Sequence, residues 1–178
     1  MEELIVQAQQ GNRDAFTDLI LTLKNDLYKI ARTRLSNEDD IQEAIQETMI
    51  RAYKHIKGLK EPSKFKIWIT KILINQCNTI FKKKKSYNIR YTTLENDYYK
   101  ELNNNICLEK IEDSLNFIKM LEPLKYDEKL IIVLYYTQKY TTKEISNLLK
   151  IKENTIKSKL ARAREKIKTE YKGGEEIG

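Results

Sequence analysis

The sequence has few of the residues that break or cross-link a chain. Its 178 residues include only 5 glycines and 2 prolines, which argues against a turn-rich sandwich or barrel. Cys77 and Cys107 lie in different contexts and give no disulfide framework, so a reducing, cytoplasmic setting is expected. With a single histidine they cannot complete a closed zinc site. No apolar run approaches the roughly 20 residues of a membrane span, and the acidic N-terminus does not resemble a signal peptide.

Charge, by contrast, is abundant and unevenly placed. Charged residues make up 33% of the chain, and the formal net charge is +7. Residues 1–80 are close to balance, Lys82–Lys85 is a run of lysines, and residues 150–172 carry 9 basic and 3 acidic side chains. Two separated basic patches, each at the end of a helical pattern, indicate two contacts along one polyanion. The alternative is that they only complement helix dipoles and keep the protein soluble.

Apolar residues recur at spacings of three and four, which predicts an all-α protein. We expect two small helical domains, at residues 1–85 and 108–170, joined by a flexible linker at 86–107 and followed by a tail at 171–178. The linker is rich in Asn and Tyr and has no clear period. In the second domain, a short helix with a capping sequence and a strongly basic final helix form a helix-turn-helix pattern.

The final helix carries side chains that suit duplex DNA. Its apolar stripe must be buried, and the other sides present Thr155, Lys157, Ser158, Lys159, Ala161 and Arg162. Arg and Ser can bond base edges and Ala leaves room for a thymine methyl, whereas the lysines and Thr155 suit phosphates. A surface helix whose charges are merely solvated is the alternative.

In the second helix of the first domain, Asp40, Glu43 and Glu47 share one face. Such a cluster could bind a metal, as a nuclease requires. However, no histidine or fourth acid has the spacing of a further ligand. Gln42, Gln46 and Arg51 surround the acids, which is more typical of a protein-docking surface. No cofactor and no metal are expected.

The third helix carries a polar strip formed by Lys71, Asn75, Asn78 and Lys82, with Trp68 near its start. Amide groups, cations and aromatic rings suit unstacked bases of single-stranded nucleic acid. The preceding loop, residues 57–64, could form a pocket for an extruded base. For Phe65 and Trp68 the alternative is core packing, which we favour for Phe65.

These segments resemble conserved regions 2 and 4 of the extracytoplasmic-function (ECF) sigma factors of the sigma-70 family. The resemblance rests on Gly11–Phe16, Asp40–Tyr53, Phe65–Asn75, Tyr140–Ile145 and Thr155–Arg164. It implies a region 2 bundle and a region 4 helix-turn-helix. It also implies a dissociable subunit, not an enzyme, that directs RNA polymerase to promoters by reading their minus-10 and minus-35 elements.

The resemblance implies roles and partners as well. Core polymerase would bind Asp40, Glu43, Gln46, Glu47, Ile50 and Tyr53. The melted minus-10 element would meet Leu59, Lys64, Trp68, Lys71, Asn75, Asn78 and Lys82. The minus-35 duplex would face the six polar and small residues of the final helix named above. Implied partners are core polymerase, promoter DNA and an anti-sigma protein, often membrane-anchored, with no small-molecule substrate. Many family members control stress responses.

The chain departs from the family pattern at five positions. Tyr53 stands where Trp is frequent, Thr79 where Asp is frequent, and Leu59 where a large aromatic residue is usual. Lys150 and Lys152 replace a Gly and a capping Ser or Pro in the turn of the helix-turn-helix.

Two other function classes compete with a sigma subunit. A stand-alone helix-turn-helix regulator would explain the final helix, but not the Gln46–Glu47 face, Asn75 and the long linker together. A metal-dependent nuclease would need a nucleophile, a general base or a ligand set that the sequence does not offer.

Overall fold

The computed structural model describes residues 1–91 and 120–172, and neither range contains a β-strand. The all-α prediction is therefore confirmed. The chain divides into two units, Met1–Asn105 and Ile106–Gly178, which are described separately. Residues 92–107 of the predicted linker, the helical pattern predicted from residue 108 to 119 and tail residues 173–178 lie outside the described residues. No helix in the described ranges is long and apolar enough to cross a membrane.

Helices and two short turns build the first unit. They are α1 (Glu2–Gln9), α2 (Arg13–Arg32), α3 (Glu38–His55), 3₁₀ turns at Ile56–Gly58 and Pro62–Lys64, and α4 (Phe65–Tyr91). Asparagine side chains cap two of the helices. The Asn12 side-chain oxygen accepts from the N–H of Ala15 at 3.1 Å, and that of Asn37 accepts from the N–H of Asp40 at 3.2 Å. Because each cap satisfies an otherwise unpaired donor, both helix starts are set locally.

The apolar sides of α2, α3 and α4 pack into one core. The predicted stripes are buried: Leu19, Leu23, Leu27 and Ile30 on α2; Ile41, Ile45 and Ala52 on α3; Phe65, Ile69, Leu73, Cys77 and Ile80 on α4. Burial raises the pKa of the Cys77 thiol to about 12, although the charge of Arg34 opposes that shift. The thiol is therefore neutral at physiological pH, and Cys77 acts as a core residue.

The first unit differs from expectation in two places. α4 does not end in the lysine run but continues to Tyr91. Residues 86–91 contain no Gly or Pro, so their polar composition alone does not stop the helix. Met49 and Ile72, which continue the apolar spacing of α3 and α4, are only half-buried.

The second unit contains α5 (Tyr126–Ile132), a π turn (Val133–Thr137), α6 (Thr142–Leu149) and α7 (Glu153–Lys172). The predicted capping sequence starts α6. The Thr141 hydroxyl accepts from the N–H of Glu144 at 3.2 Å, and the Glu144 carboxylate accepts from the N–H of Thr141 at 2.8 Å. Ile145 of α6 and Ile156 of α7 are both fully buried, so the two helices share a core. The helix pair with a short connection is as predicted.

A buried carboxylate ties α7 to α5. Nζ of Lys166 donates to Glu128 at 2.7 Å, and the N–H of Lys125 donates to the same carboxylate at 2.9 Å. Burial by itself would raise the pKa of Glu128. The two hydrogen bonds and the lysine charges outweigh burial, so the pKa of Glu128 lies below its ordinary value.

Acid should therefore destabilise the second unit by protonating Glu128. With a folded-state pKa below the unfolded one, the carboxylate stabilises the fold at neutral pH. This contribution is lost as the pH falls below the ordinary glutamate pKa and through the folded one. Glu128→Gln should be less stable at pH 7 and should lose less stability between pH 6 and 3. Hydrogen exchange of the α7 amides measures the stability at pH 7 and its loss at lower pH. Glu165→Gln, at an exposed residue of the same helix, is the control. An unchanged pH dependence in Glu128→Gln would contradict this assignment.

The turn between α6 and α7 holds a strained residue. Lys150 has φ 56° and ψ 41°, a left-handed conformation that Gly adopts without the steric cost of a Cβ. Lys150→Gly should therefore stabilise the second unit by about 0.5 to 1 kcal/mol. Lys152→Gly removes the same charge at a residue without positive φ, so it should not stabilise. Urea unfolding, followed by the NMR signals of α6, compares the free energies of unfolding of the two variants. If both substitutions changed that free energy equally, backbone strain would be ruled out as the cause.

Candidate nucleic-acid and protein interfaces

One side of α3 presents acidic, amide and apolar side chains to solvent. This α3 stripe consists of Glu43, Gln46, Glu47, Ile50 and Tyr53, which recur at steps of three or four residues except for the adjacent Gln46 and Glu47. Ile50 and Tyr53 keep 40% and 41% of their surface exposed, so apolar area lies among the polar groups. The Tyr53 ring is held edge-on against Phe16, with 5.1 Å between ring centroids. Apolar surface beside carboxylates suits contact with a basic protein surface.

Asp40, predicted to belong to the same face, is engaged elsewhere. Its carboxylate lies 2.7 Å from Nζ of Lys84, and its side chain is only 12% exposed. The ion pair joins the first turn of α3 to the lysine run of α4. Asp40 is therefore not part of the exposed α3 stripe, contrary to the prediction. In the residues that the structure describes, no group of three His, Cys, Asp or Glu side chains could hold a metal ion.

The polar strip predicted on the third helix forms one side of α4. The α4 stripe consists of Trp68, Lys71, Asn75, Asn78 and Lys82, spaced three or four residues apart, together with Lys64 at the end of the preceding 3₁₀ turn. Lys71, Asn75 and Lys82 are exposed, and Trp68 is half-buried. The Trp68 ring packs against the Phe65 ring, with 5.7 Å between their centroids, and Phe65 itself is only 1% exposed. Core packing is thus the role of Phe65, whereas Trp68 keeps surface on the stripe.

The loop before α4 is held by Gln9, a residue that no sequence pattern singles out. Nε2 of Gln9 in α1 donates to the carbonyl oxygens of Ile56 and Leu59, at 3.0 and 2.7 Å. Leu59 is half-buried, and Lys64 forms an exposed ion pair with Glu61 at 2.7 Å. Two hydrogen bonds from one amide fix the entry of the loop at residues 57–64.

On α7, most of the predicted DNA-facing residues are open to solvent. Thr155, Lys157, Ser158, Ala161 and Arg162 are exposed. Lys159 is the exception, since its side chain is 25% exposed and its Nζ lies 3.3 Å from the Asp127 carboxylate. The hydroxyl of Ser158 donates to the carbonyl of Asn154 at 2.8 Å, which leaves its oxygen as an acceptor.

Glu153 fixes the start of α7 against α6. Its carboxylate accepts from the Thr142 hydroxyl at 2.8 Å and lies 3.0 Å from Nζ of Lys157. The hydrogen bond from Thr142, followed by that from Lys157, lowers the pKa of Glu153 below its ordinary value. At neutral pH the carboxylate is ionised and can orient the first turn of the basic helix.

Comparisons with known proteins agree with this division of the chain. Residues 19–87 match the family model of Sigma-70 region 2, and residues 114–167 match that of Sigma-70, region 4. Together the two models cover well over half of the chain. The chain belongs to the sigma-70 family. It is an RNA polymerase sigma factor of the ECF group, as the sequence resemblance indicated.

Individual relatives show the same relationship along nearly the whole chain. The sigma factor is 26% identical to the ECF RNA polymerase sigma factor SigW of Bacillus subtilis (strain 168), over 97% of both chains. Its fold is similar to that of the sigma factor RpoE from Bartonella quintana, solved in complex with the anti-sigma factor NepR. That match has 20% identity and a TM-score of 0.71, over 88% of this chain and 96% of RpoE. The fold of this chain also resembles that of CnrH, solved in complex with the cytosolic domain of CnrY. That match has 20% identity and a TM-score of 0.65, over 97% of both chains.

Three contacts beside the candidate interfaces of this sigma factor were not predicted from the sequence, namely those made by Gln9, Arg34 and Lys84. Gln9 holds the loop before α4, Lys84 binds Asp40, and Nη2 of Arg34 donates to Oδ1 of Asn78 at 3.1 Å. Each acts on a partner more than 40 positions away, so no local pattern could indicate it.

Proposed function

We propose that this sigma factor binds core polymerase through the α3 stripe and binds the single-stranded minus-10 element through the α4 stripe and the loop at residues 57–64. α7 would read the minus-35 duplex. One observation carries the proposal: both stripes lie on neighbouring helices of one packed unit, joined by the Asp40–Lys84 pair at 2.7 Å. Polymerase docked on α3 would therefore hold α4 in a fixed place.

In this proposal the side chains of the α4 stripe make different contacts with a single strand. Lys71 and Lys82 would neutralise phosphates, Asn75 would bond base edges, and the Trp68 ring would stack on a base. None of these roles needs a nucleophile or a general base, so we propose that the protein acts without catalysis of its own. We place it in the cytoplasm with polymerase, and we retain residues 1–85 and 108–170 as the proposed bounds of regions 2 and 4.

We also infer that an anti-sigma protein binds this chain. Support comes from RpoE, whose fold is similar and whose structure contains the anti-sigma factor NepR. The proposed target is the exposed apolar surface of Ile50 and Tyr53, because an inhibitor that covered it would also block polymerase.

A run-off transcription assay tests the proposed function. Purified chain is mixed with bacterial core polymerase and fragmented genomic DNA of its own bacterium. Discrete transcripts that appear only when the chain is added are the expected result. Duplex DNA binding without polymerase and without transcripts would overturn the proposal in favour of a stand-alone helix-turn-helix regulator.

A further inference from the structure

Arg34 lies beneath one edge of the α4 stripe. It follows the end of α2, is half-buried, and reaches α4 through the hydrogen bond from its Nη2 to Oδ1 of Asn78 at 3.1 Å. Asn78 is half-buried as well, and it sits on the stripe between the exposed residues Asn75 and Lys82. Neither sequence pattern nor family resemblance assigns a role to Arg34.

This contact decides which way the Asn78 amide faces. A guanidinium group carries only donors, so the atom of Asn78 that meets it must be the carbonyl oxygen. The NH₂ group occupies the other branch of the planar amide. With the oxygen bonded to the half-buried arginine, the NH₂ is the group of this amide that remains to bond a ligand on the α4 stripe. Among the described residues, nothing else bonds to the Asn78 side chain.

We propose that Arg34 is a positioning residue that makes Asn78 a donor-only reader, which selects a keto oxygen of thymine or guanine in the strand bound by α4. The inference rests on the proposed function of the α4 stripe. An unrestrained asparagine can turn either its oxygen or its NH₂ to a base. An asparagine held in this way offers only donors. At the exocyclic group that distinguishes the bases, O4 of thymine and O6 of guanine accept these donors, whereas the amino groups of adenine and cytosine do not.

A phosphate oxygen is the other acceptor that the amide could meet. On this stripe the exposed Lys71 and Lys82 already suit phosphates. The two contacts have different signatures. A donor on a base changes the sequence preference at one position, whereas a donor on a phosphate changes affinity equally for every sequence.

Selection from a random pool of single-stranded DNA distinguishes these signatures. Holoenzyme is assembled from bacterial core polymerase and the full chain, and bound strands are sequenced. Asn78→Asp keeps a partner for Arg34 but turns only an acceptor to the strand. Arg34→Met frees the amide to rotate. Thr79→Asp, at an exposed neighbour whose hydroxyl bonds to the carbonyl of Asn75 at 2.9 Å, is matched in charge to Asn78→Asp.

We expect the parent holoenzyme to enrich thymine or guanine at one position. Asn78→Asp should shift that position alone toward adenine or cytosine by roughly tenfold. Arg34→Met should abolish the base preference at that position, while the other positions keep theirs. Thr79→Asp should lower affinity without changing any preference.

Several results would overturn the inference. One is a preference in Asn78→Asp identical to that of the parent, and another is a uniform loss for all sequences, which would indicate a phosphate contact. If Arg34→Met loses helicity by circular dichroism, the Asn78→Asp result alone decides. A parent holoenzyme that forms but enriches no sequence would refute the proposed function itself, and the inference with it.

Discussion

Core polymerase should bind the double variant Gln46→Ala, Glu47→Ala at least tenfold more weakly than the parent chain. Gln46 is exposed and Glu47 is half-exposed at the middle of the α3 stripe, so their removal leaves the core unchanged. Glu47 also lies 3.9 Å from Arg51, but an exposed pair on one helix contributes little to stability. A loss of about 1.4 kcal/mol in the interface corresponds to the tenfold change.

Fluorescence anisotropy of the labelled chain, titrated with core polymerase, measures this affinity. Asp18→Ala is the matched control, because Asp18 is an exposed acid on α2 outside the α3 stripe. Its affinity for core polymerase should equal that of the parent. If the double variant kept native circular dichroism and parental affinity, the α3 stripe would not be the polymerase contact.

Phe65→Ala should cost about 3 to 5 kcal/mol of stability in the first unit, whereas Trp68→Ala should cost about 1 kcal/mol. The rings touch each other, but Phe65 is only 1% exposed and Trp68 is half-buried. Small domains have about 5 to 15 kcal/mol in total, so Phe65→Ala removes a large share of it. Trp68→Ala should instead weaken single-stranded DNA binding by the holoenzyme roughly tenfold, through lost stacking.

Two measurements separate these roles. Native-state hydrogen exchange of residues 1–84 reports the stability of the unit, and anisotropy of a labelled single strand reports DNA binding by the holoenzyme. Trp68→Phe retains a stacking surface and should restore most of the binding that Trp68→Ala loses. A Trp68→Ala variant as unstable as Phe65→Ala would show that both rings serve only the core.

Much of the local structure could be predicted because its causes lie within a few residues. Spacings of three and four gave the buried stripe of α2, and Asn37 and Thr141 mark helix starts through caps to amides three positions away. The exposed face of α7 follows from the burial of Ile156 and Leu160 in the same helix. Composition was a weaker guide, since the polar residues after Lys85 continue α4.

The sequence by itself determined that this protein is helical, that it has two parts, and that it carries the motifs of sigma regions 2 and 4. Only the tertiary structure decided the state of individual polar groups. Asp40 meets Lys84, and the oxygen of Asn78 meets Arg34, across 44 positions of chain in each case. Periodicity tells which face of a helix is exposed. Which donor meets which acceptor depends on how the helices pack, because such a bond requires two distant side chains within about 3 Å of each other.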